Sequence, residues 1–360
     1  MPGTKGILTF VNVVIHDQDG YVNDVTGRAA VRGAAMKRSE GVWGVTSPAG
    51  PPALLNDIVA LSPDEAWSVG QTADHPMIQH WDGTAWSVVA TPSSASLIGA
   101  GLLGVAAVSP GAAIAVGGGY DRLAGREVPL VQHWNGTTWA TQDPGPWLQT
   151  GYVLTSVAMF GVDEAWAVGH GVPGGAIALR WDGTNWTPIP TPAPGRGRLL
   201  AVAGTTPDDV WAVGTTGSGQ LIMHFDGQAW RQVRCPSGRS SLTDVVTLPD
   251  GSAWAAGGDG LLHWNGRRWR RVDPGLSSVN TLTALSPTDV WAAGGRGELA
   301  HFDGEKWRRA DSPAPLDGAA VWLGAASVVP GTVWMVGSLQ TGGSSRSTGL
   351  HSVTALTQED

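Results

Sequence analysis

The chain is 360 residues long, with 42% hydrophobic and only 14% charged residues, enough apolar material for a large core and too little charge for a disordered tract. Its formal net charge of −8 argues against a nucleic-acid partner, because neutralising phosphates takes a clustered basic surface. Fifty-two Gly and 24 Pro, spread along the chain, fit many short strands joined by turns rather than a collagen, and the single cysteine, Cys235, excludes an internal disulfide framework.

Residues 1–15 contain an apolar run, Ile7 to Ile15, behind Lys5. That run lacks a small-residue cleavage site and is followed by His16-Asp17-Gln18-Asp19, so secretion is not favoured and a cytoplasmic location is expected. No stretch reaches transmembrane length, and no membrane partner is expected. Residues 1–40 match no later segment and are expected to form an extension outside the repeats. Gly41-Val42-Trp43-Gly44-Val45-Thr46-Ser47-Pro48, by contrast, matches Ala85-Trp86-Ser87-Val88-Val89-Ala90-Thr91-Pro92 in character.

From residue 54 onward the chain repeats itself every 40–50 residues or so, the sign of a radial array. Each unit opens with a short apolar strand, as in Leu154-Thr155-Ser156-Val157, Leu199-Leu200-Ala201-Val202 and Leu242-Thr243-Asp244-Val245. A turn such as Ser62-Pro63-Asp64-Glu65 or Thr206-Pro207-Asp208-Asp209 follows. The second strand reads Trp67-Ser68-Val69-Gly70, Trp166-Ala167-Val168-Gly169, Trp211-Ala212-Val213-Gly214, Trp254-Ala255-Ala256-Gly257 or Trp291-Ala292-Ala293-Gly294, with Ile114-Ala115-Val116-Gly117 carrying an aliphatic in place of Trp. The third strand ends in His80-Trp81-Asp82-Gly83, His133-Trp134-Asn135-Gly136, Arg180-Trp181-Asp182-Gly183, His224-Phe225-Asp226-Gly227, His263-Trp264-Asn265-Gly266 or His301-Phe302-Asp303-Gly304. Asp-Gly and Asn-Gly predict type I′ hairpins, and a Trp three residues after the Gly opens the fourth strand. The flat Trp side chains are expected to fill the wedges between neighbouring units.

A seventh second strand, Trp334-Met335-Val336-Gly337, continues through Gly349-Leu350-His351 and then lacks its hairpin dipeptide and closing Trp. The expected fold is therefore an all-β, seven-bladed β-propeller of four-stranded antiparallel blades, spanning 41–356, with a 357–360 tail. Its last blade would be closed by one N-terminal strand at about residues 41–46, which removes the open edges.

Trp-Asp-Gly-Thr-x-Trp resembles a degenerate Asp-box, the hairpin of sialidase-like and photosystem-assembly-factor-like propellers. The Trp-Ala-Val-Gly strand is similar to repeats of those assembly factors and of kelch-like bacterial propellers. The resemblance implies the fold alone, since no counterpart of the sialidase arginine triad with its Tyr and Glu can be placed here.

His80, His133, His224, His263, His301 and His351 share one repeated position. A metal-binding column would need them close together, whereas third strands sit far from the axis, so hydrogen bonding to a turn or neighbouring blade is the favoured role. Arg180 at the same position points to a required hydrogen-bond donor. Asp57 and Asp244, at the starts of innermost strands, are expected to cap backbone amides rather than hold a cation. No metal site and no cofactor are expected. Arg267, Arg268, Arg270, Arg271, Lys306, Arg308 and Arg309 gather in the fifth and sixth units as a basic sector, read as a solvated blade edge.

If repeated residues are scaffold, function belongs to the departures from the repeat. Gly257-Gly258-Asp259-Gly260 and Gly294-Gly295-Arg296-Gly297 are bare loops, but Gly118 to Pro129 in the second blade is long and charged. Tyr120, Asp121, Arg122, Arg126, Glu127, the out-of-register Trp147 and Tyr152 are the candidate ligand-binding set there. His75 and His170 fall in the flanking loops of blades 1 and 3. A monomeric binding module for a small molecule, carbohydrate, peptide or protein is favoured. The alternative is an enzyme using His170 or His75 as a base with Arg122 or Arg126 as an anion clamp.

Overall fold

The apolar second strands and the Gly that ends each of them decide how tightly a blade can be built. In the computed structural model, a Cβ placed on Gly70, Gly117, Gly169, Gly214, Gly257 or Gly294 would lie between 1.9 and 2.4 Å from a carbonyl oxygen of the adjacent innermost strand or of the segment leading into it. Only glycine permits that approach. The residue that follows the Gly-paired position on the innermost strand is bulged out, as between Leu55 and Asp57, Leu154 and Ser156, and Leu199 and Ala201. The structure describes residues 32–39, 42–46, 49–51, 53–72, 75–92, 96–145, 151–171, 175–192, 195, 197–217, 219–312, 320–329 and 332–339.

The chain enters through β1 (Arg32–Ser39) and β2 (Val42–Thr46). Blade 1 is then β3 (Leu54–Ser62), β4 (Glu65–Gln71), β5 (Pro76–Trp81) and β6 (Trp86–Val89). Blade 2 is β7 (Leu97–Ser109), β8 (Ala112–Asp121), β9 (Arg126–Trp134) and β10 (Trp139–Thr141). Blade 3 is β11 (Tyr152–Gly161), β12 (Glu164–Gly171), β13 (Ala176–Trp181) and β14 (Trp186–Pro188). Blade 4 is β15 (Arg198–Thr206), β16 (Asp209–Thr216), β17 (Gly219–Phe225) and β18 (Trp230–Gln232). Blade 5 is β19 (Leu242–Thr247), β20 (Ala253–Gly257), β21 (Gly260–Trp264) and β22 (Trp269–Val272). Blade 6 is β23 (Thr281–Ser286), β24 (Asp289–Ala293), β25 (Leu299–Phe302) and β26 (Trp307–Ala310). Two strands remain, β27 (Ala320–Val329) and β28 (Thr332–Leu339).

The expectation of a seven-bladed repeat propeller closed by one N-terminal strand is corrected by this topology. The uninterrupted blades number six. The remaining four strands form a composite sheet in the order β2-β1-β28-β27, two from each end of the chain. β1 pairs with β28 from Arg32↔Leu339 to Arg38↔Val333 and so takes the third place in that sheet. The segment expected there, Gly349-Leu350-His351, lies outside the described residues. The boundary expected at residue 41 also moves, because residues 32–39 are inside a sheet. Innermost strands follow one another around the axis from β3 to β27, and β27 returns to β3.

Cores lie between blades. One joins Val116 and Val131 of blade 2 to Leu154, Ala167, Trp181 and Trp186 of blade 3. Four second-strand Trp pack on the hairpin aromatic and closing Trp of the next blade: Trp67 on Trp134 and Trp139, Trp166 on Phe225 and Trp230, Trp211 on Trp264 and Trp269, Trp254 on Phe302 and Trp307. The ring planes against the closing Trp are 82–86° apart, the edge-to-face geometry that the aromatic quadrupole favours. Trp334 does the same to Trp81 and Trp86, so the composite sheet grips blade 1. Trp86 Nε1 adds a bond to Thr46 Oγ1 at 3.0 Å.

The hairpins differ from the expected two-residue type I′ turns. Trp81 pairs with Trp86, leaving a four-residue loop in which only Gly83 has positive φ. Asp82 Oδ1 accepts the backbone N–H groups of Thr84 and Ala85, and Asn135, Asp182, Asp226, Asn265 and Asp303 repeat the pattern.

Candidate functional site

Blade 2 departs from its neighbours where β7, β8 and β9 run on past the level at which other blades turn. Gly118 and Gly119, expected in a loop, continue β8 because a Cβ on either would press on Val153 or Ala100. The three strands stay paired to Ile98↔Tyr120↔Glu127 and Leu97↔Asp121↔Arg126. The result is a three-stranded tongue. Its tip turns through Arg122-Leu123-Ala124-Gly125, with Asp121 Oδ1 accepting the N–H groups of Leu123 and Ala124 and Gly125 at φ 65°.

Tyr120, Asp121, Arg122, Arg126 and Glu127 are thus brought together, while Trp147 lies outside the described residues. Leu123, which the sequence did not single out, is 93% exposed at the tip, and Tyr120 is 41% exposed. Asp121 is occupied with the turn. Glu127 is half-buried, and that burial raises its pKa with no opposing hydrogen bond or cation. Arg126 Nε is buried without an acceptor.

The flanking candidates separate from this group. Tyr152 packs against the hydrophobic core between blades 2 and 3 and is a structural residue. His170 is buried on β12, opposite Val153. His75 is exposed in the β4–β5 turn of blade 1, where its backbone is tied to Thr72. Neither histidine is hydrogen-bonded to Arg122 or Arg126 among the described residues. Cys235 is half-buried, and burial raises its thiol pKa more than Arg271 lowers it, the opposite of an activated nucleophile.

The repeated polar residues have local duties. His80 Nε2 lies 2.8 Å from Glu65, His224 2.6 Å from Asp209 and His301 2.9 Å from Asp289, each carboxylate on the same blade. Each ring also stacks on its own blade's Trp, at 4.2–4.4 Å for His80, His224, His263 and His301. Arg180 reproduces the arrangement with Glu164 at 2.7 Å and the Trp166 ring beneath it. His133 is the exception: Gly111 and Ala112 replace the turn acid and Ile114 replaces the Trp. Its ring leans on Trp181 of blade 3, and burial lowers its pKa to about 4.

Asp57 and Asp244 bridge blades. Asp57 accepts the N–H groups of Ile58 and of Val105 in blade 2, and Asp244 those of Val245 and of Leu282 in blade 6, with Thr281 Oγ1 as a further donor. Ser156 does likewise for Val202. Among the described residues no group of three or more His, Cys, Asp or Glu is placed to hold a metal ion, and no helix is long and apolar enough to cross a membrane.

The loops that looked bare carry clamps. Asp259 accepts the N–H groups of Arg239 and Ser240 on the segment entering blade 5, and Glu298 holds Ser277 and Arg309 beside blade 6. A carboxylate within three residues of a Gly pair, Asp259 after Gly257-Gly258 and Glu298 after Gly294-Gly295, was the available signal.

Comparison with known proteins follows from this architecture. No protein-family model and no curated protein matches the chain. Among solved structures, YCF48 bound to D1 peptide aligns with a TM-score of 0.59 at 16% identity, covering 85% of this chain and 96% of that one. Virginiamycin B lyase from Staphylococcus aureus aligns at 0.59 and 11% identity, covering 85% and 99%. The WD40 β-propeller domain of Doa1 aligns at 0.54 and 11% identity, covering 81% and 94%. Likeness at these identities is a likeness of fold, and with the aromatic wedges described above it marks the chain as a Trp-rich β-propeller of four-stranded antiparallel blades.

Proposed function

We propose that this chain is a non-catalytic binding propeller, a cytoplasmic monomer that captures a segment of a peptide or protein on the blade 2 tongue. The observation that carries the reading is a contrast in satisfaction. At the repeated His and hairpin positions most charged side chains have a partner, whereas Arg122, Arg126 and Glu127, beside the exposed Tyr120 and Leu123, have none among the described residues. Unspent charge next to exposed aromatic and aliphatic surface is what an interface centre presents before its partner arrives.

The tongue projects rather than recedes, and small-molecule sites are concave, which favours a macromolecular segment over a sugar or metabolite. The structural neighbour bound to D1 peptide is a propeller of this shape with a peptide ligand, and it supports the same class of partner. Catalysis is disfavoured by the separation of His75 and His170 on different blades, away from any activated nucleophile.

The test is selection of a displayed library of random peptides against the purified protein, followed by anisotropy titration of the winners. Tyr120→Ser with Leu123→Ser weakens binding at least about tenfold, as truncating interface anchors does. The same pair leaves Tm within about 1 °C, because both residues are exposed. Binders indifferent to both substitutions would refute the assignment.

A further inference from the structure

We propose a second, separate interaction surface: an arginine rim on the hairpin of blade 5 that takes an acidic segment of a partner protein. The fourth strands of blades 4, 5 and 6 place an arginine at one register position, Arg231 opposite His224, Arg270 opposite His263 and Arg308 opposite His301. In each blade the hairpin cap stands five residues earlier. Asp226 pairs with Arg231 at 2.9 Å, and Asp303 pairs with Arg308 at 2.8 Å. Blade 5 has Asn265 at that place, which keeps the turn through Arg267 and Arg268 N–H but supplies no charge.

Arg270 is therefore exposed without an acid, and the turn adds Arg267 and Arg268, also exposed and without side-chain partners among the described residues. Arg271, beside them, is committed to the carbonyl oxygens of Asp259 and Ser237. Three uncompensated guanidinium groups on one hairpin, in a chain of net charge −8, form a local reversal of sign. Carboxylates match the planar guanidinium fork. Three guanidinium groups gathered on one hairpin match a short acidic peptide in extent and in charge.

The experiment uses a fluorescein-labelled octaglutamate peptide and the full chain, read by anisotropy at low ionic strength. Saturable binding is expected, weakening about tenfold on raising salt to physiological strength and beyond, as screening requires. Asn265→Asp installs the cap that blades 4 and 6 already use; it keeps the fold and pairs Arg270, and weakens binding about threefold. Arg267→Ser with Arg268→Ser weakens it about tenfold or more. Tyr120→Ser with Leu123→Ser leaves it unchanged, which separates this surface from the tongue. Absence of saturable binding, equal binding by all variants, or tighter binding of duplex DNA than of the peptide each overturns the proposal.

Discussion

Replacing Trp211 with Ala tests whether the interblade aromatic wedges hold the ring together. Trp211 is 5% exposed, with its ring 5.0 Å from Trp264, 5.2 Å edge-to-face from Trp269 and 4.4 Å from His224. It closes a cluster that includes Val213, Ile222, Leu242, Val245 and Leu262 across blades 4 and 5. Truncating a buried Trp costs about 3–5 kcal/mol, and the loss of two close aromatic pairs places this site toward the upper half. A domain of this size loses roughly 0.7 kcal/mol per degree near its midpoint, so about 4 kcal/mol lowers Tm by about 6 °C. Trp211→Phe retains one ring against Trp269 and loses about half as much. Thermal unfolding followed by far-UV circular dichroism at a fixed scan rate measures both. A fall under about 1 °C for Trp211→Ala, or equal falls for Ala and Phe, would refute the wedge as a principal source of stability.

Two further outcomes follow from the strands and the bridging carboxylates. Burial raises Asp57 to about 7 and Asp244 to about 6 despite the backbone N–H groups that favour their anions. A raised acid contributes stability that is full below its unfolded pKa near 4 and is lost as pH rises through about 7, so this component of stability grows on acidification across that window. For Asp57 the full linkage is about 4 kcal/mol at most. His133 acts in the opposite sense, its stability being present above about 6.5 and lost as pH falls through about 4. Urea midpoints from pH 4 to 8 in wild type and Asp57→Asn resolve the acid component, since the variant lacks the gain between pH 7 and 4; parallel profiles would sink the assignment. Ala35→Pro tests the composite sheet, because Ala35 pairs with Thr46 on one side and Val336 on the other. A proline there removes a ladder bond from an inner strand and costs about 3 kcal/mol, and an unchanged Tm would mean that β1 contributes nothing to closure.

How much of this was legible depended on whether a residue belonged to the repeat. Trp67, Trp166, Trp211 and Trp254 announced the second strands, and their wedge role follows from size and spacing alone. The hydrogen-bonding role of the His column was legible too, because Arg180 at one position pointed to a required donor. β1 was hidden because Arg32-Gly33-Ala34-Ala35-Met36-Lys37-Arg38-Ser39 has no Trp, no hairpin dipeptide and little apolar alternation. Its strand character comes from pairing on both sides, a tertiary effect that local propensity does not register. The tongue was misread as a loop for a related reason: Gly118 and Gly119 look like turn residues, but here they are strand glycines that let Ala100 and Val153 approach. Tyr152 was placed in the candidate site by sequence proximity, whereas strand alternation turns it toward the core between blades 2 and 3.

The two surfaces proposed here arise differently, the tongue from strands that run past their neighbours and the rim from a hairpin that lacks an acid. The repeat pairs its own polar groups, as Glu65 does with His80, Asp209 with His224 and Asp303 with Arg308. At the rim, charge becomes available because blade 5 drops the acid its neighbours use. Blade 5 carries Asn265 rather than Asp in its hairpin, and Arg270 is left without the acid that Asp226 and Asp303 supply to Arg231 and Arg308. In an antiparallel blade the loop between the second and third strands and the hairpin between the third and fourth lie at opposite ends of the strands. The tongue at Arg122-Leu123-Ala124-Gly125 and the rim at Arg267 and Arg268 therefore occupy opposite faces of the ring. A partner seated on one would leave the other open, and the aromatic wedges between blades hold the two at a fixed distance.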